Sequence, residues 1–131
     1  MTLTLKLKDP ALLCQRAYVA GEWITADDGT TAAVANPATG EQIGVVPMCG
    51  AAEARRAIAA AEHAQRDWAR PPAKERTATL RKLNDLMLAN QEDLAVIMTS
   101  EQGKPLAEAR GEVAYAASFI VWFADEARRV Y

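Results

Sequence analysis

At 131 residues, with 50% hydrophobic and 24% charged side chains, the chain can bury a core of its own and has ordinary soluble-globular composition. A net charge of −2 and a pI near 5.4 speak against a nucleic-acid groove or an anionic membrane surface, both of which favour basic patches. No apolar run approaches the ~20 residues that span a bilayer. The Leu, Thr and Lys alternation from Met1 to Lys8 has no apolar core of signal-peptide length, so a cytoplasmic setting with reduced thiols is expected.

Short β structure is expected first. Tyr18 to Ile24 sets two short apolar runs around Gly21, a hairpin pattern. Asp27-Asp28-Gly29 supplies a turn, and Ala32 to Ala35 reads as a strand. Asn36 to Glu41 is dense in turn formers, and Ile43 to Pro47 reads as a further strand. After Gly50 the composition switches to Ala, Arg, Glu and Leu, which predicts helices over 51–68, 73–89, 91–102 and 106–130. In the first, Ala54, Ala57, Ile58, Ala61, Ala64 and Trp68 form one stripe. Pro71-Pro72 ends it and opens the second, whose Leu80, Leu83 and Met87 are expected inward. Asn90 reads as an N-cap for the third, with Glu92 and Asp93 complementing the helix dipole. Leu94, Ile97 and Met98 are its expected buried face.

Gly103 is suited to end that helix in the left-handed conformation, and Pro105 to open the last one. In the last helix Ala109, Val113, Ala116, Ile120, Phe123, Ala127 and Val130 recur at three- and four-residue steps. Five of the eight aromatics fall between Tyr115 and Tyr131. A helix this apolar, still running at Tyr131, reads as part of a larger protein. The organisation is a single partial domain, with a β-hairpin segment over 1–48 and a helical segment over 49–131.

Chemistry-bearing motifs are sparse. There is no Gly-x-Gly-x-x-Gly after a strand, and Gly103-Lys104-Pro105 lacks the upstream Gly and the Ser or Thr of a phosphate loop. Cys14 and Cys49 have no metal-ligand spacing around them and are expected as small buried hydrophobes. His63 reads as a surface or helix-packing residue. Glu108 with Glu112, and Asp125 beside Glu126, read as solvated salt-bridge partners. Arg55-Arg56 and Arg128-Arg129 read as solvated helix faces.

Tyr18-Val-Ala-Gly-Glu-Trp23, Asn36-Pro-Ala-Thr-Gly-Glu41, Trp68 and Glu101-Gln-Gly-Lys-Pro105 occur in this order and spacing in the aldehyde dehydrogenase superfamily. The run from Leu106 to Phe119, followed by Trp122-Phe-Ala-Asp-Glu126, is similar to bacterial succinate-semialdehyde dehydrogenases. The resemblance covers essentially the whole chain. It implies an α/β fold, the N-terminal part of a cofactor-binding domain that is incomplete without a downstream Rossmann-like sheet. It also implies NAD(P)-dependent oxidation of succinate semialdehyde, with glutarate semialdehyde or another small aldehyde as the alternative substrate.

In that family a Cys thiolate attacks the carbonyl and a Glu-activated water hydrolyses the thioester. The catalytic Cys, Glu and Asn and the NAD or NADP site lie C-terminal to the region matched. No catalytic or cofactor-binding residue is therefore assigned in this chain, and it is expected to be inactive alone. The resemblance places Glu112, Tyr115 and Phe119 along the wall of the aldehyde tunnel, although plain core packing is the competing expectation for both aromatics. It places a monovalent-cation site at the Glu101 side chain and the Ala35 carbonyl, with Glu where relatives carry the shorter Asp. It implies a homo-oligomer, dimer or tetramer, for the complete enzyme. The alternative function is a non-catalytic helical interaction module derived from the same family.

Overall fold

The structure, a computed structural model, describes residues 4–129. Two separate antiparallel hairpins come first: β1 (Ala17–Val19) with β2 (Glu22–Ile24), and β3 (Thr31–Ala35) with β4 (Gln42–Pro47). Four helices follow, α1 (Ala51–Trp68), α2 (Ala73–Ala89), α3 (Gln91–Gln102) and α4 (Leu106–Glu126). A short 3-10 turn at Pro10–Leu12, not expected from the sequence pattern, is capped by the Asp9 carboxylate, which accepts the Ala11 N–H.

The β1–β2 loop has two residues, Ala20 and Gly21, both at positive φ (54° and 90°). That geometry matches the right-handed twist of a tight hairpin. Its register pairs Tyr18 with Trp23, whose rings meet edge to face at 5.1 Å. In the second hairpin the register shifts between Val34 and Ala35, and Asn36 closes the turn by donating its N–H to the Glu41 carbonyl.

The core lies where α4 packs on α2 and α3. Ala109, Val113, Ala117 and Ala124 of α4 are buried there, with Ala95 of α3 and Thr77 of α2. Small side chains let the helix axes approach closely and leave little volume for large ones. Polar ties fix the layer. The Arg110 guanidinium donates to both Glu92 oxygens (2.7 and 2.8 Å), Gln91 donates to the Arg110 carbonyl, and Arg81 pairs with Asp125.

Several expectations are corrected. On α4 the expected stripe lies between two real faces, about 40° from the buried one at 100° per residue. Ala116 and Phe123 are exposed, Ala117 and Ala124 are buried, and Val130 lies outside the described residues. The helix ends at Glu126 rather than 130, because Arg128 and Arg129 donate to carbonyls three residues back, tightening the chain into turns. On α1 the apolar stripe is bare, with Ile58 68% and Trp68 39% exposed. Leu83 of α2 is also exposed.

Asn90 does not cap α3 with its side chain. It donates to the Leu86 carbonyl and so closes α2 instead. Both cysteines are exposed rather than buried.

Candidate functional site

The α3–α4 connector is where the residues singled out by sequence come closest together. Gly103 ends α3 at φ 81°, in the left-handed region. The site its missing Cβ would occupy is only 2.9 Å from Pro37 Cγ. The Asn36–Glu41 turn therefore seats directly on the end of α3, a contact that only a glycine permits. This brings the strand end at Ala35 toward the last turn of α3, which carries Glu101. Both residues are exposed. No grouping of three or more His, Cys, Asp or Glu that could hold a metal occurs among the described residues.

Lys104 then reaches forward to the Glu112 carboxylate and pins the connector to the second turn of α4. Glu101 and Glu112 flank a groove floored by Met87, Leu94, Ile97 and Met98 and closed on one side by Val113 and Ala116. Along α4 beyond Glu112, Tyr115 and Phe119 stack edge to face at 4.7 Å. They are 65% and 45% exposed in this chain. Trp122 and Phe123 continue this bare surface at 61% and 62%. The structure thus places Glu112, Tyr115 and Phe119 on one exposed face, with Glu101 across the groove.

A second apolar groove runs between the β1–β2 loop and α1, lined by Tyr18 from the hairpin and by Ala57, Ala61, His63 and Ala64 from the helix. His63 is exposed.

Electrostatics concentrate on the ties rather than the grooves. Two hydrogen bonds from the Asp9 and Lys8 N–H groups hold the Asp93 carboxyl below its ordinary range. Glu53 is lowered chiefly by the Asp27 N–H at 2.8 Å, and it also accepts from Gly50 at the start of α1. Asp27 is lowered by the Arg56 guanidinium, which clasps both its oxygens at 2.6 Å. These partners are absent from the sequence pattern. The acidic first-turn positions are visible there, but the loop residues that reach them are not.

These elements define an α/β assembly of two hairpins leading into a three-helix layer. The aldehyde dehydrogenase family profile matches residues 23–131, and the chain belongs to that family. The glutarate-semialdehyde dehydrogenase of Pseudomonas putida is 61% identical over 127 residues, which is 97% of this chain and 26% of the relative. The NADP(+) succinate-semialdehyde dehydrogenase of Escherichia coli is 52% identical over the same shares. A solved aldehyde dehydrogenase from Brucella melitensis biovar abortus superposes with a TM-score of 0.95 at 60% identity, again over 97% of this chain and 26% of that one. The chain spans about a quarter of the length of the curated relatives it matches.

Members of the family use NAD(P). The described residues do not fit that dinucleotide. A pyrophosphate favours free helix N-termini, but the first turns here carry Glu53, Glu75, Glu92 with Asp93, and Glu108. Glu53 and Asp93 are already engaged by backbone N–H groups.

Proposed function

We propose that this chain is the opening portion of a cytoplasmic, homo-oligomeric dehydrogenase that oxidises a short semialdehyde carrying a terminal carboxylate, with glutarate and succinate semialdehyde as the candidates. The 61% identity to a glutarate-semialdehyde dehydrogenase over nearly the whole chain carries this reading. The chain's own share is positional. Glu112, Tyr115 and Phe119 form one wall of the aldehyde tunnel, the two rings giving an apolar surface for the substrate's methylene chain. Glu101 and the Ala35 carbonyl, on the two segments that meet at the Pro37–Gly103 contact, are the cation ligands. The 131 residues alone turn over no aldehyde.

A chimera tests this reading. The matching 127 residues of the Pseudomonas putida enzyme are replaced by those of this chain. The expected result is aldehyde-dependent NAD(P) reduction with glutarate or succinate semialdehyde, and a higher KM when Tyr115→Ser and Phe119→Ser are added. A folded chimera without turnover on either substrate would overturn the proposal.

A further inference from the structure

We propose that Lys104 is a specificity-determining residue: by neutralising Glu112 it lets this wall of the aldehyde tunnel accept an anionic substrate. The inference rests on the function proposed above, in which a semialdehyde with a terminal carboxylate passes Glu112.

A carboxylate is a poor neighbour for such a substrate. The groove beside α4 is lined mostly by apolar side chains, and its charged lining residues, Glu101 and Glu112, are both acids. A charge on an apolar wall is weakly screened, so an unpaired Glu112 would repel a second carboxylate more strongly than it would in water. Like charges brought together in this way select against a ligand.

The α3–α4 connector supplies the missing cation. Lys104 Nζ donates to Glu112 Oε2. The lysine backbone is held between Gly103, at φ 81°, and Pro105, at φ −58°. Its side chain is 22% exposed and that of Glu112 48%, so the ammonium is the less solvated partner. Glu108 lies nearer to Lys104 along the chain, yet the pair forms with Glu112, the acid on the groove. Arg110, the adjacent base on α4, is already occupied, because its guanidinium holds both Glu92 oxygens. Lys104 is therefore the cation that balances Glu112.

The pair acts on charge alone. An aldehyde without a carboxylate gives neither member a charge to work on. A carboxylate-bearing aldehyde feels opposite effects from loss of the base and loss of the acid.

The chimera described above tests this, read as the ratio of KM for glutarate semialdehyde to KM for pentanal, a neutral aldehyde of the same carbon number. Lys104→Met should raise that ratio by roughly tenfold. Glu112→Gln, which leaves the ammonium unpaired, should lower it. The double variant should return it to within about twofold of the parent, because the two side chains act as one unit. A merely structural role would move both aldehydes alike. Should Lys104→Met fail to fold, Glu112→Gln and the double variant carry the test through the sign of the first and the recovery in the second. Turnover with a ratio unmoved by the folded variants, or a double variant no better than Lys104→Met, would overturn the inference and leave the proposed function standing. A folded chimera without turnover overturns that function instead, and the pair is then read from calorimetric binding of glutarate. Binding should weaken in Lys104→Met and recover in the double variant. Glutarate binding that is absent, or indifferent to the pair, would overturn the inference as well.

Discussion

Two single residues carry backbone geometry that sequence composition alone does not settle. Ala20 stands at φ 54° in a two-residue hairpin loop. A left-handed alanine costs about 1–2 kcal/mol, because its Cβ crowds the following carbonyl. Asn tolerates this region better and makes the preferred pair with the following glycine. Ala20→Asn should therefore stabilise the chain by about 0.5–1 kcal/mol, read as a higher urea midpoint with unchanged slope. Gly103 lies at the opposite extreme. There a Cβ meets both the left-handed penalty and Pro37 Cγ. Gly103→Ala should cost about 2 kcal/mol or more and should loosen the Asn36–Glu41 turn. Amide exchange at Gly40, whose N–H bonds to the Asn36 carbonyl, would report that loosening. Unchanged stability would show that the turn does not press on α3 as described.

Among the elements, the first three helices lie where periodicity and Pro or Gly punctuation put them, and both hairpins were legible from their turn residues. The faces were less legible. A helix such as α4 is apolar over more than half its circumference, so three-and-four spacing cannot tell the buried side from the bare one. The buried side is the one with small residues, because the neighbouring axes are close. The candidate site was legible only as positions. The Pro37–Gly103 contact joins segments far apart in sequence, for which no local pattern exists. The two faces differ in energetic weight. Val113→Ala, at a position 3% exposed, should destabilise by about 2 kcal/mol, whereas Phe123→Ala should lie within about 0.5 kcal/mol in the monomer. Thermal or urea unfolding of the two variants distinguishes them, and the reverse order would misplace the buried face.

Across the whole molecule, carboxylates bind the hairpin segment to the helices. Asp93 holds the backbone of Lys8 and Asp9, Glu53 holds Asp27 and Gly50, and Asp27 holds Arg56. All three acids are lowered from ordinary values of 3.8 for Asp and 4.5 for Glu. Between the folded and unfolded values the unfolded chain binds more protons, so stability there rises with pH. It should be level above about pH 5 and fall as acidification passes through the lowered folded values. In an Asp93→Asn, Glu53→Gln variant that acid limb should be shallower, as followed by urea midpoints across pH. A limb of unchanged steepness would remove these carboxylates from the account. The Asp93 tie also has a consequence for synthesis. It joins residues 84 and 85 positions apart, and the segment with Leu5 and Leu7 leaves the ribosome before Asp93 does. At about 5–20 residues per second, that segment stays without its anchor for roughly 4–17 s. Throughout that interval the nascent chain offers a short leucine-bearing segment to any chaperone waiting at the exit tunnel.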